Sequence, residues 1–536
     1  MPKKLRIVIA QLNLAVGDIQ GNLQKSIHAA KSARDAFSAD MIVFPELSLT
    51  GYPPEDLLFR KSFIDEANDA LNTFKSEVEG IYCVVGHPHA TSQGLHNSCS
   101  VIYNKTIVGR YAKQRLPNYG VFDECRYFVP GNSSCVIPVH GIPVGIIICE
   151  DLWFPGPTQQ LADQGARVVV APNASPFEID KHEQRHFTLA KRARADRIPI
   201  VYVNCIGGQD DLVFDGGSMA IDSEGKICQQ AGFFQEALLP VDIEVSSMNT
   251  VVSESPFTLP SEEQRVYDAL VLSVRDYIQK NHFPGVLVGV SGGIDSALTL
   301  AIAVDALGKD KVHAVMLPSR YTSGMSTEDS LALIQNLGVT HEVISIEPAF
   351  NQFLDSLDLA KRKPTIVEEN IQSRCRGVIL MAISNETGKL VLTTGNRSEM
   401  AVGYSTLYGD MAGGFAVLKD VPKTMVYRLA HWRNQSQAVI PDRTLTRAPT
   451  AELASNQKDE DSLPPYDILD KILELYLNQE QSIQEIVEQG FDKDVVTKIV
   501  KLVCHSEYKR RQSPIGPRIN HQSFGRGRRY PVTAKI

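Results

Sequence analysis

Residues Val286 to Leu300 read VLVGVSGGIDSALTL. The first five residues, rich in β-branched side chains, predict a buried parallel strand. Ala297, Leu298, Leu300 and Ala301 predict the core face of a helix that opens at Asp295. Between them, Ser291-Gly292-Gly293 must turn the chain. Adjacent glycines permit positive φ and a close backbone approach to a ligand, and the unpaired N–H groups of a first helical turn point outward at the positive end of its dipole. Strand, glycine turn and helix therefore make a nest for phosphate oxygens. A Walker A loop is excluded, because Ile294-Asp295-Ser296 stands where a Lys-Ser or Lys-Thr pair would be needed. Chemistry that cuts ATP to ADP loses its usual support.

At 536 residues the chain exceeds the size at which one core keeps growing, so two domains are expected. Its 43% hydrophobic and 22% charged residues are those of an ordinary globular protein. The net charge of −8 argues against a nucleic-acid partner, which needs a basic face. Arg526, Arg528 and Arg529 form one basic cluster, read as a solvated tail. No apolar run reaches the roughly 18 residues a spanning helix needs, so neither membrane insertion nor secretion is expected. The nine cysteines are scattered and form no CxxC pair, which fits reduced thiols in a cytoplasmic protein.

From Leu5 to about Val241 strand-like runs (RIVIAQLN, MIVFPEL, IYCVVGHP, SCSVIYN, VGIIICE, VVVAPNA, IVYVNC, GSMAID) outnumber helical ones, near Asn22–Phe37 and Phe63–Val78. An α/β sandwich is the simplest fit. Reactive side chains end two of these apolar runs: Glu46 follows MIVFP and Cys149 closes GIIIC. Lys113 lies among the aromatics of YAKQRLPNYGVFDECRYF. Together they permit nucleophilic chemistry, since a thiol attacks as thiolate, a neighbouring ammonium lowers its pKa and a carboxylate accepts its proton.

The segments FPELSLTGY, KQRLPNYGVFDE and ICEDLW resemble the three signature segments of the nitrilase (carbon–nitrogen hydrolase) superfamily. That resemblance implies an αββα sandwich, with Glu46 as general base, Cys149 as the nucleophile that forms a thioester, Lys113 stabilising the oxyanion and Glu124 orienting the lysine. In the superfamily's glutaminase branch, Tyr119, Ser175 and Lys181 stand at positions that hold glutamine.

The stretch DIEVSSMNTVVSESPFTLPSEE loses periodicity and carries Pro256 and Pro260, so residues 246–262 are read as a linker between domains over 1–245 and 263–536. Ser261 with Glu262 and Glu263 predicts a helix start, and Val266, Leu270, Val274 and Ile278 recur on one face. Beyond the glycine turn, VHAVMLPS, THEVISI and KLVLTTGN alternate with helical stretches, which predicts a doubly wound parallel sheet whose ligand sits beyond the strands' carboxyl ends. Three such ends are expected to converge there: Ser291–Ser296, Pro318-Ser319-Arg320 and Thr393-Thr394-Gly395-Asn396. Asn370 and Arg374 share one helix face, Glu399 follows a strand end and Tyr404 is placed on an exposed loop.

SGGIDS resembles the pyrophosphate loop of ATP pyrophosphatases, which adenylate a substrate and release pyrophosphate. With MLPSRYTS, EENIQSR, TTGNRSE, YGDMAGGF and EYKRRQSP, the second half resembles the NAD⁺ synthetase family, and the nitrilase-like front implies its glutamine-dependent type. The resemblance implies that Gly289, Val290, Ser291, Gly292, Gly293, Ile294, Asp295, Ser296, Thr394 and Lys423 contact ATP. Asn370, Glu399, Tyr404 and Lys509 would contact deamido-NAD⁺. Asp295 and Glu399 would be the Mg²⁺ carboxylates, and the synthetase halves would pair as a homo-oligomer. Leu407 departs from the pattern, standing where the ammonia-dependent enzymes carry Lys. The implied reaction is ATP-dependent amidation through an adenylate, with ammonia drawn from glutamine through an internal passage that no sequence feature locates. The alternatives are an adenylating ligase for another carboxylate, a tRNA-modifying enzyme, which would want a basic face and paired cysteines, and an amidase with an ATP-sensing module.

Overall fold

The computed structural model describes residues 3–246, 249–359, 365–454, 457, 459–461 and 463–534. The chain divides into two compact units that meet in sequence at Pro260/Ser261, with the short segment Asp210–Leu212 grouped with the second.

The first unit is built on two sheets. A seven-stranded sheet runs in the order 250–252, 237–245, 3–11, 41–43, 82–91, 94–103, 106–112, and a six-stranded sheet in the order 227–230, 219–221, 200–204, 168–173, 142–146, 135–139. Inward side chains of both, among them Ile7, Ile9, Val43, Val84, Val144, Ile146, Val170 and Val201, form one core. Helices Ile19–Phe37 and Lys61–Glu77 pack on the first sheet, and Pro157–Asp163 and Lys181–Asp196 on the second, giving four αββα layers. The first helix begins earlier than the periodicity indicates, because Asp18 caps it by accepting from the Gly21 N–H.

The linker reading needs correction at its start. Thr250–Val252 pairs with Ile243–Val245 as the edge strand of the first sheet, and 253–260 lacks repeating structure before Ser261 caps helix Glu262–Lys280. The polar surroundings of the short TVV run conceal it.

In the second unit five parallel strands follow the order 340–343, 312–316, 286–289, 390–393, 415–416. The order reverses beside Val286–Gly289, which puts a switch point at the glycine turn. Helix Ile294–Leu307, capped at Gly293, packs against strands 286–289 and 312–316. It is buried nearly all round, Thr299 and Ile302 included, so the predicted stripe understates its burial. Helix Ile366–Thr387 packs on strands 286–289 and 390–393. A helical cluster, 466–473, 483–488 and 493–505, closes around Met400, Ala401 and Val402. The basic tail is not wholly solvated as read from the sequence: Arg528 is buried, lies over the Tyr530 ring and pairs with Glu507 at 3.7 Å.

Candidate active sites

In the first unit the Lys113 side chain is fully enclosed, and its ammonium donates to Glu46 Oε1 at 2.7 Å and Glu124 Oε1 at 2.8 Å. The Asn97 amide also donates to Glu46 Oε1, at 2.7 Å, and the Ala174 N–H donates to Glu46 Oε2 at 3.1 Å. Tyr52 donates its hydroxyl to Glu124 Oε1 at 2.9 Å. Burial alone would discharge Lys113, but Glu124 and Glu46 outweigh it and hold the ammonium protonated. Burial pushes Glu124 up to about 7 against the pull of Lys113.

Cys149 is the next corner of this group. Its strand ends at Ile146 rather than running into the cysteine. Cys149 opens a short 3₁₀ turn, Cys149–Leu152, at φ +45°, a sparsely populated region for a side-chain-bearing residue that clusters at functional sites. Asp151 ties the turn to the lysine segment: its carboxylate accepts from the Ile148, Gln114 and Arg115 N–H groups and from Tyr111 OH at 2.8 Å. The expectation of a lowered thiol pKa is corrected. Burial, followed by Glu46, pushes Cys149 well above its ordinary value, and Lys113 offsets this only in part. The resting group is a thiol, and Glu46 is the carboxylate that does most to hold its proton on.

Tyr119, 51% exposed, donates to both oxygens of Glu150, the residue after the cysteine. Lys181 lies over the Trp153 ring at 5.1 Å and 3.8 Å from Glu178. Ser175 is clamped: Arg185 Nε donates to its Oγ at 3.1 Å, and Asn204 grips its N–H and carbonyl. Arg185 is in turn neutralised by Asp215 at 2.8 Å, entirely out of solvent.

In the second unit one cavity of about 620 Å³ lies beyond the carboxyl ends of the parallel strands. Gly289, Val290, Ser291, Gly292, Gly293, Ile294, Asp295, Ser296, Thr394 and Lys423 line it, and so do Asn370, Glu399, Tyr404 and Lys509. Gly292 adopts φ +83°, and a Cβ there would fall 2.5 Å from the Ser326 carbonyl oxygen, so no other residue fits the turn. The Ser296 hydroxyl accepts from the Ser291 N–H and donates to the Gly293 carbonyl, closing the loop on itself.

Lys423, at the start of helix Lys423–Ser436, bridges Asp295 and, at 3.2 Å, Glu399. Burial opposes its charge, but Asp295 and Glu399 prevail and hold it above the usual lysine value; burial lifts Glu399 to about 7. Asn396 caps the Glu399 helix and donates its amide to Asp295 at 2.9 Å. Among the described residues no group of three or more His, Cys, Asp or Glu side chains is arranged around a metal position. Asp295 and Glu399 are a two-carboxylate set facing the cavity.

Not every expected contact points inward. Arg320 turns out to Glu347, at 3.0 Å, and Asn351, and Arg374 donates to the Leu407 carbonyl at 3.2 Å; neither lines the cavity, whereas Pro318 does. Tyr404 is half-buried, packed with Leu407 against the helical cluster instead of exposed on a loop. Lys509 gives two of its protons to the Gly403 and Ser405 carbonyls, both at 2.7 Å.

Two family models divide the sequence, carbon-nitrogen hydrolase over residues 6–251 and NAD synthase over 266–513. A protein of Xanthomonas campestris pv. campestris named glutamine-dependent NAD(+) synthetase is 48% identical over 99% of this chain and 97% of its own. The chain belongs to the glutamine-dependent NAD(+) synthetases. Its likeness to the family member of that name from Thermotoga maritima is 41%, over 100% of this chain and 99% of the relative. The solved structure of glutamine-dependent NAD+ synthetase from Acinetobacter baumannii in complex with ADP matches with TM-score 0.80 and 44% identity, covering 99% and 98% of the two chains.

For this family member, sequence reasoning passed over Asn97, Tyr52, Asp151 and Glu150. One signal was available: His96-Asn97-Ser98 puts three polar side chains in succession on a strand, and all three are buried. Burying polar side chains favours giving them partners, and the Asn97 amide nitrogen finds two, Glu46 and Glu124.

Proposed function

We propose that the chain makes NAD⁺ from deamido-NAD⁺, ATP and glutamine. The observation that supports this most is the pairing, in one chain, of a buried Cys149–Glu46–Lys113 group with a glycine-turn cavity holding Asp295, Glu399 and Lys423. The division of labour follows the two units, the hydrolase before Ser261 and the synthetase from Ser261 onward.

In the hydrolase, Glu46 takes the Cys149 proton as Sγ attacks the carboxamide carbon of glutamine, and the Lys113 ammonium faces the oxyanion. Glu46 then passes that proton to the departing nitrogen, so ammonia leaves and a thioester remains. Water attacks the thioester, with Glu46 as base, to release glutamate and restore the thiol. Tyr119, Ser175 and Lys181 hold the glutamine. The high resting pKa of the thiol fits this scheme, because proton transfer is coupled to attack.

In the synthetase, the carboxylate of deamido-NAD⁺ attacks the α-phosphorus of ATP, and pyrophosphate leaves into the N–H groups of the Ser291–Ser296 turn. Lys423 and Thr394 contact the nucleotide, and Asn370, Glu399, Tyr404 and Lys509 the deamido-NAD⁺. Ammonia then attacks the acyl adenylate and AMP leaves. Asp295 and Glu399 would hold Mg²⁺, an all-oxygen pair that leaves the remaining ligands to phosphates and water; when bound it would neutralise charge on the leaving pyrophosphate.

The test is Cys149→Ala. Glutamine-dependent NAD⁺ formation is lost, while formation from ammonium chloride stays near wild type. Loss of both activities, or retention of both, overturns the two-site scheme.

A further inference from the structure

Lys113 offers one positive charge to two enclosed carboxylates, Glu46 and Glu124. With both ionised the cluster would carry an uncompensated buried charge, which is costly, so one proton is shared by the pair. Lys113 cannot decide where it rests, because its two contacts, 2.7 and 2.8 Å, are nearly equal. Asn97 can. Its Nδ2 lies 2.7 Å from Glu46 Oε1 and 3.4 Å from Glu124 Oε2, a firm bond on one side and a slack one on the other.

We propose that Asn97 is a positioning residue that places the pair's shared proton: its amide, tight on Glu46 and loose on Glu124, leaves Glu46 as the bare carboxylate and Glu124 as the proton's resting place. A hydrogen bond donated to the charged form of a carboxyl favours that form. Glu46 collects three donors at 3.1 Å or less, from Lys113, Asn97 and the Ala174 N–H. Glu124 collects two, from Lys113 and Tyr52, plus the slack Asn97 contact. The other titratable groups facing the pair are Tyr52, Cys99, Cys149 and Glu150. An asparagine donates here without adding charge, whereas a lysine would neutralise the pair and an aspartate would add a third anion. The consequence is catalytic readiness: a base must be bare when glutamine arrives, and the proton it would otherwise hold is kept on Glu124, across the Lys113 ammonium.

This rests on Glu46 acting as base at Cys149, and the two ideas fail differently: the Cys149→Ala result tests that reading, whereas the following profile tests only Asn97. In the full-length enzyme, glutaminase kcat/KM is measured against pH for wild type, Asn97→Ser and Tyr52→Phe. The acidic limb reports ionisation of the pair. Asn97→Ser moves that limb up by about one pH unit, a roughly tenfold loss at pH values on the limb and less above it. Tyr52→Phe removes a donor to Glu124, which carries its proton both before and after Glu46 takes one up, so it leaves the limb in place. A merely structural Asn97 would lower activity equally at all pH values without moving the limb, and that result overturns the proposal. If Asn97→Ser does not fold, Asn97→Ala takes its place, and an unmoved limb overturns the proposal; a Tyr52→Phe limb raised as far as that expected for the Asn97 variant overturns it too.

Discussion

Replacing Gly292 by alanine tests the glycine turn in the most direct structural way. The residue sits at φ +83°, where an L side chain costs about 1–2 kcal/mol. Its new methyl would stand 2.5 Å from the Ser326 carbonyl oxygen and 2.8 Å from Ser326 Cα. These are backbone atoms of helix Gly324–Leu337 and cannot swing aside, so overpacking adds about 1–3 kcal/mol. The total of roughly 2–5 kcal/mol is a large share of a domain's stability. It is relieved only by moving the turn, whose N–H groups face the cavity. Gly293 is the internal control: its φ is not in the left-handed region, and the nearest atom to a methyl added there, Ser291 Oγ, is 3.4 Å away. Gly292→Ala should lower the unfolding temperature of the synthetase region by several degrees and abolish NAD⁺ formation from glutamine and ammonium alike, leaving glutaminase activity. Gly293→Ala should lose far less of both stability and synthesis. Equal damage from the two substitutions, or a fully active Gly292→Ala enzyme, would refute the reasoning.

Lys423→Met leaves Asp295 and Glu399 facing one another without their shared ammonium; synthesis from either nitrogen source should fall by roughly 10²–10³, read as steady-state kcat. Glu46→Gln should reduce glutaminase turnover by about 10²–10⁴, with ammonium-dependent synthesis as the control. His87 is enclosed, and burial depresses its pKa to about 3, so its unfolded form takes up a proton below about 6.5 while the folded form does not. The stability this contributes is full above pH 6.5 and is lost as pH falls toward 3, by at most about 1.4 kcal/mol per pH unit. His87→Gln, which can still meet Ser100, should flatten urea-unfolding stability across that window; an unchanged slope would contradict the assignment.

Legibility in the sequence followed local pattern. The glycine turn was readable because hydrophobic period changes across it from strand to helix, and the place of the cavity beyond the strand ends follows from parallel topology, whereas the directions of Arg320, Arg374 and Tyr404 depend on packing. The resemblance named Glu46, Lys113 and Cys149, yet it could not give the sign of the thiol's shift, which depends on how fully three dimensions bury it. Strand Ala237–Val245 was obscured by Pro240, which reads as a breaker. The structure tolerates it because Thr250–Val252 pairs only with Ile243–Val245, leaving an open side at Pro240. Asn97, Tyr52 and Asp151 were hidden for another reason: each acts through a partner far away in sequence, as Asn97 and Glu46 do across 51 positions.

The central claim is that the Ser291–Ser296 turn grips the two departing phosphates of a nucleotide cut between its α- and β-phosphorus. ATP labelled separately at those two positions, incubated with deamido-NAD⁺ and ammonium chloride, tests it. The prediction is one labelled AMP and one labelled pyrophosphate for each NAD⁺ formed, and neither when deamido-NAD⁺ is withheld. Recovery of the label in ADP, with orthophosphate released, would contradict it.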